Sequence, residues 1–227
     1  MPEKLFVAVI VFSLISGALG IASWRRDSLR AMARASTTVA FVLALAAWLV
    51  RWKTAEHLPL FGTWESALSL AVFILAIAMF VRTAALGVAP LVAAIILAHG
   101  ALYDSTAYAL TISERSLVVD VHSILAWAAF ALLTANAGIA IAVMLQRRRA
   151  EQENAEPTAG ERSLGRTLSI GFLLYTSMIA TGALYKFMLF GVAWSFDPIE
   201  TLALASWLAY GTLLHLHLMG NWNGVKL

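Results

Sequence analysis

Residues 64–102 read WESALSLAVFILAIAMFVRTAALGVAPLVAAIILAHGAL. Two apolar runs, 64–82 and 85–102, are joined by a very short link, Thr83 to Leu86. Each run is close to the roughly 20 residues that a helix needs to cross a bilayer. Neither alternates apolar with polar residues, as the strands of a membrane barrel do. The stretch therefore predicts two membrane helices in a tight hairpin. Five more apolar segments surround it, at approximately 4–23, 36–52, 118–145, 167–187 and 199–219. The expected fold is an all-α, polytopic membrane bundle of about seven transmembrane helices. It forms a single integral membrane domain over residues 1–227.

Composition agrees. The chain is 61% hydrophobic and only 13% charged, whereas a soluble domain is about a quarter charged. There are no cysteines. That excludes disulfides, Cys-based metal sites, a thiol nucleophile and thiolate-bound iron–sulfur clusters. No phosphate-binding glycine loop, zinc spacing or nucleophile triad occurs, nor do internal repeats. The net charge of +3 reads as topology rather than nucleic-acid affinity. Met1 to Leu19 resembles a signal peptide in part. However, Glu3 and Lys4 are its only early charges and no clean small-residue cleavage site follows, so it reads as the first membrane helix.

Basic residues set the orientation. Arg25, Arg26, Arg30 and Arg34 fall between segments one and two. Arg82 falls between three and four. Arg147, Arg148, Arg149, Arg162 and Arg166 fall between five and six. Basic loops stay cytoplasmic, which places the N-terminus outside and the C-terminus inside. The outer loops are then roughly 53–63, 103–117 and 188–198. The connection 146–166, with Glu151, Glu153, Glu156, Pro157 and Gly160, reads as a flexible cytoplasmic linker.

An ionisable side chain in a membrane needs a partner or a function. His57, His99 and His122 all fall towards the outer face. His215 and His217 fall in the inner half of the last helix, about 200° apart around it. Each alone also reads as a neutral, hydrogen-bonded bundle residue or a snorkelling one. Neutral imidazole is, besides, a common haem-iron ligand.

The segment Gly182-Ala-Leu-Tyr185-Lys-Phe187-Met-Leu-Phe190-Gly191-Val-Ala-Trp194-Ser-Phe196-Asp197-Pro198-Ile-Glu200-Thr201 is more distinctive. An interfacial aromatic belt explains its rings. Asp197 as cap, Pro198 at the first helical position and Glu200 two residues on explain its end as a capped helix start. Trp207 and His215 follow along that helix.

These residues resemble the CcsA/ResC/CcmC group of cytochrome c assembly proteins, in the CcsA branch. That branch carries Trp-Ser-Trp-Asp-Pro-Lys-Glu-Thr, then a Trp and a Leu-His pair. Here Trp194, Ser195, Asp197, Pro198, Glu200, Thr201, Trp207, Leu214 and His215 match without a gap, with Gly182, Ala183 and Gly191 upstream. Gly62-Thr63-Trp64-Glu65-Ser66 resembles the family's Leu-Tyr-Glu-Ser helix start. Val121-His122-Ser123 with Ala126-Trp127-Ala128-Ala129 resembles its His-Val-Ser…Tyr-Ala-Ala. The matches span about 62–217. Tyr185, Phe190 and Phe196 stand where the family has tryptophans, keeping rings but not indole N–H donors.

The resemblance implies haem handling in a bacterial inner membrane, with haem b as cofactor. Tyr185, Phe190, Trp194, Phe196, Asp197 and Trp207 would form or support the haem platform. His122 would be an outer iron ligand and His215 a ligand of a site within the membrane. His57 or His99 would supply a second outer ligand. Partners would be a CcsB-like membrane protein and apocytochrome c, in a holocytochrome c synthase system. Two other readings stay open. One is a non-catalytic CcsA-like subunit, haem-b-carrying or haemless, that anchors a larger redox complex. The other is a HemX-like regulator. A transporter is disfavoured, because no broken-helix pair or buried charge array is apparent.

Overall fold

The computed structural model describes residues 2–80, 85–106, 109–150 and 159–219. The helices are α1 (Pro2–Ala22), α2 (Arg30–Ala55), α3 (Gly62–Phe80), α4 (Ala85–Gly100), α5 (Leu117–Ala150), α6 (Ala159–Phe190) and α7 (Pro198–Met219). A 3-10 turn, Asp27–Leu29, precedes α2. No strand occurs among the described residues. Six helices are long and apolar enough to span a membrane, and α4 is a shorter apolar helix of 16 residues.

The helices outrun their apolar windows. α2 begins at Arg30, α5 continues to Ala150, and α6 starts at Ala159. Gln, Arg and Ala are good helix formers in water as well as in lipid, so propensity carries the helix past the bilayer. Part of the expected linker 146–166 is thus helical. Its residues 151–158 lie outside the described residues, as do 83 and 84 of the expected hairpin link.

Lipid offers helices no hydrophobic drive to associate, so close packing of small residues must do so. On α2, Ala40, Ala44 and Ala47 are fully buried. They join Phe6 and Val9 of α1, Leu68, Ile74 and Leu75 of α3, and Ala89, Ala93 and Leu97 of α4 in one core. At Gly87 of α4 an added Cβ would lie 2.8 Å from the backbone nitrogen of Ile21, so α1 and α4 touch backbone to backbone. A second core joins Ala126, Ala129 and Leu133 of α5 to Leu168, Tyr175 and Met178 of α6, with Trp207 and Leu214 of α7 packed on it. Hydrogen bonds knit the same pairs. Trp48 Nε1 donates to Ser69 Oγ at 2.8 Å, and Asn136 Nδ2 donates to the Leu164 carbonyl at 2.8 Å. α7 rests mainly on α6 and buries no residue fully.

The three expected outer loops gather at one end. Arg51, near the end of α2, donates to the carbonyls of Ser105 and Thr106, each at 2.7 Å. Tyr185 of α6 donates to the Ser113 carbonyl at 3.4 Å. Leu60, Phe61 and Val119 pack with Leu58, Leu110 and Tyr185. The chain therefore returns to this end after α4, which crosses the bundle despite its length.

Candidate functional site at the loop-bearing end

Beneath the loops lies a buried ion pair. Arg51 Nε donates to Glu65 Oε1 at 2.7 Å, and the side chains are 6% and 2% exposed. Glu65 Oε2 accepts from the Phe61 backbone N–H at 3.3 Å. The guanidinium also lies over the Trp64 ring at 5.2 Å, and Trp64 stacks on Phe6 at 4.6 Å. With the Ser105 and Thr106 carbonyls, the guanidinium is amply satisfied, as a charge at this depth requires. In the sequence Arg51 stands at a helix end, and Glu65, a polar candidate near the outer membrane boundary, stands in the first turn of the next helix. Two opposite charges at adjoining helix ends were the signal available.

His122 sits on α5, with its Nδ1 2.8 Å from the Met178 carbonyl of α6. A carbonyl can only accept, so Nδ1 carries the proton. Nε2 is then the bare lone pair. Gly182, one turn further along α6, makes the room. A Cβ there would stand 2.8 Å from His122 Cε1 and 3.1 Å from Nδ1. Gly182 matched the family pattern without a role, and the ring it accommodates supplies one.

At the inner end of the same helix a second glycine does the same. Gly165 faces the ring of His217, so closely that no Cβ would fit. His217 is half-buried there and His215 is exposed. Gly182 and Gly165 lie about 25 Å apart along α6 at 1.5 Å per residue. His122 and His215 therefore stand at opposite depths and cannot share one iron.

Of the other outer histidines, His57 is mostly enclosed. Its Nδ1 is 2.8 Å from the Leu58 carbonyl and 3.9 Å from Glu65 Oε2. His99 is exposed, edge-on to Tyr103. It lines an apolar recess of about 380 Å³ with Thr63, Ser66 and Trp127.

The 191–197 loop is fixed at both ends. Gly191, at φ 71°, closes α6, its N–H donating to the Phe187 carbonyl at 2.9 Å. Asp197 Oδ1 accepts the Glu200 N–H at 2.9 Å and Glu200 Oε2 accepts the Ser195 N–H at 2.8 Å, which realises the expected cap. Lys186 of α6 ties the loop down. Its amine donates to Ser195 Oγ at 2.5 Å, to Asp197 Oδ2 at 2.9 Å and to Glu200 Oε1.

The Glu200 backbone N–H, and then the Lys186 amine, hold the Asp197 carboxyl below its ordinary 3.8. A depressed folded value stabilises above the ordinary value and is lost as pH falls through the lowered one. Acidification below about pH 4 is thus expected to loosen the first turn of α7. Amide exchange at residues 199–201 would register it. Asp197→Asn should weaken that acid transition while keeping the cap, leaving the share carried by Glu200.

The aromatic residues separate into two groups. Tyr185 is turned into the cluster of Leu60, Phe61 and Val119. Trp207 lies deeper, stacked on Phe172 at 5.5 Å with its N–H on Thr176 Oγ1 at 2.9 Å. Phe190 and Phe196 are 69% and 72% exposed. Trp194 stands edge-on to Phe196 at 6.3 Å. Its indole N–H is buried and has no acceptor among the described residues. Phe196 adopts φ 57°, a left-handed conformation costly for a bulky side chain.

This is a multi-pass helical membrane protein whose polar networks, histidines and exposed rings concentrate at one end. The chain belongs to the cytochrome c assembly protein family, whose sequence profile matches residues 29–227. It is similar to the cytochrome c biogenesis protein CcsA of Synechococcus sp. (strain CC9902), at 30% identity over 94% of this chain and 83% of the relative. CcsA of Synechococcus sp. (strain CC9311) is 28% identical over 99% of this chain and 88% of the relative. Against CcsA of Chlorella vulgaris, 61 residues are 43% identical, covering 27% of this chain and 19% of the relative. The fold is similar to that of the cytochrome c heme lyase CcmF, with a TM-score of 0.74 at 18% identity. That likeness covers 95% of this chain and 41% of the CcmF chain. Membership places the protein in cytochrome c maturation.

Proposed function

We propose that the chain holds haem at its loop-bearing end, outside a bacterial inner membrane, and presents it for attachment to apocytochrome c. The observation that carries this reading is the tautomer of His122. An imidazole whose Nδ1–H is donated to a carbonyl has a fixed orientation and a more basic Nε2, the arrangement of a metal-ligating histidine. The chain has no cysteine for covalent attachment, so the fitting cofactor is a non-covalent haem b.

Other residues at this end suit the group. Phe190, Trp194 and Phe196 offer ring faces to a porphyrin, and the orphaned Trp194 N–H suits a propionate oxygen. The strained Phe196 backbone keeps its ring turned outward, a cost that a binding role explains. His99, exposed, is freer than His57 to serve as a second ligand. Bound haem supplies the vinyl groups to which apocytochrome thiols add. The chain's own part is to hold the iron through His122, keep the loop closed through Lys186, and shield the ring face from water. His215, on the exposed face of α7, belongs to a separate site at membrane depth. The uncovered surface of α7 suits a CcsB-like partner. It equally favours the second reading, a subunit that anchors a larger redox complex.

The visible absorption spectrum of the purified full chain tests this. A haem band is expected in the parent, at reduced height in His122→Ala and in His215→Ala, and lost when both substitutions are combined. Protein purified without haem from haem-replete cells would overturn the proposal. Stoichiometric redox subunits in that preparation would establish the second reading instead.

A further inference from the structure

The end opposite the loops carries a feature that haem handling does not use. A recess of about 660 Å³ opens between the end of α1, the turn before α2 and the end of α5. Its volume lies within the range of small-ligand sites. Its walls are apolar, with Ile21, Leu29 and Leu145, and its rim carries Trp24, Arg25 and Arg26. Both arginines are exposed, and neither has an acidic partner among the described residues. The nearby carboxylate is already taken, since Asp27 pairs with Arg30 at 2.8 Å. The backbone at Arg26 is extended, with φ −135° and ψ 101°, so α1 has ended and the two guanidiniums sit at the helix–turn boundary.

We infer that this recess binds one anionic phospholipid, its phosphodiester held by Arg25 and Arg26 and an acyl chain laid along Ile21 and Leu145. Two guanidiniums present planar donor forks that match phosphate oxygens. An indole at the rim suits the headgroup level. Ile21 is 41% exposed and Leu145 37%. Both are apolar surface that an acyl chain covers and a soluble anion does not. A basic recess between membrane helices on the basic side is where such headgroups bind.

Native mass spectrometry of the full chain, delipidated in mild detergent and titrated with defined lipids, tests the inference. Phosphatidylglycerol is expected to be retained about tenfold more strongly than phosphatidylcholine. The double variant Arg25→Gln/Arg26→Gln should abolish that preference. Arg25→Lys/Arg26→Lys should keep part of it, because charge survives while the fork is lost. Arg34→Gln, which removes one charge outside the recess and leaves the Asp27–Arg30 pair in place, should leave it intact. An excess of inorganic phosphate should not displace the lipid. Equal retention of the two lipids, displacement by phosphate alone, or an equal loss in Arg34→Gln would each overturn the proposal. The lipid preference of the parent protein is read without any variant, so a folding defect in a mutant does not decide the result.

Discussion

Arg51→Met is expected to destabilise the folded protein by about 3–5 kcal/mol, the range for removing one partner of a buried ion pair. Arg51 and Glu65 are 5% and 1% exposed. Without the guanidinium, the Glu65 carboxylate keeps the Phe61 N–H and the distant His57 ring as its described partners. The Ser105 and Thr106 carbonyls lose their donor as well. Net stabilities of folded domains are about 5–15 kcal/mol, so a loss of this size is a large share. The double variant Arg51→Met/Glu65→Met should recover much of it, because a buried pair adds little over apolar residues of similar volume. Reversible unfolding in detergent, run as a double-mutant cycle, measures both. A single variant within about 1 kcal/mol of the parent would show that the pair is solvated.

The second large effect is expected at Gly182. In Gly182→Ala the new methyl would press on His122 Cε1 and Nδ1, and the imidazole must leave the Met178 carbonyl. Outer-shell support of a ligating histidine is worth about 10–100-fold in metal affinity. With haem held by His122 as proposed, its retention should fall by about that factor, approaching His122→Ala. Gly171→Ala is the matched control on the same helix. Its methyl would meet the end of the Leu133 side chain at 3.0 Å, which can shift. Haem should be retained there. Equal loss in both variants would assign the effect to helix packing instead of to His122.

The helices were legible because a membrane imposes one rule everywhere. Uninterrupted apolar stretches such as 64–82 leave no other structure for the backbone. Local chemistry was also legible. Asp197, Pro198 and Glu200 announce a cap, and the bonds that realise it span three to five residues. The long-range partners were not. Arg51 meets Glu65 across 14 residues and Ser105 across 54, and no spacing in the chain encodes those distances. Lys186 stands at a helix end in the sequence, whereas its partners lie up to 14 residues on. The aromatic residues show the same limit. Tyr185, Phe190 and Phe196 look alike in sequence, but only tertiary packing decides that Tyr185 turns inward while the other two face out.

The hydrogen bonds from Arg51 to Ser105 and Thr106 also have a meaning for biogenesis. Once α2 and α3 are in the bilayer, Arg51 can already reach Glu65, but the two carbonyls that its other nitrogens bind lie later in the chain. Those nitrogens find their acceptors only after the shortest helix, α4, has carried the nascent chain back across. A single side chain thereby ties the junction of α2 and α3 to the loop that follows α4. A chain in which α4 had not yet crossed would leave the guanidinium without these two carbonyls.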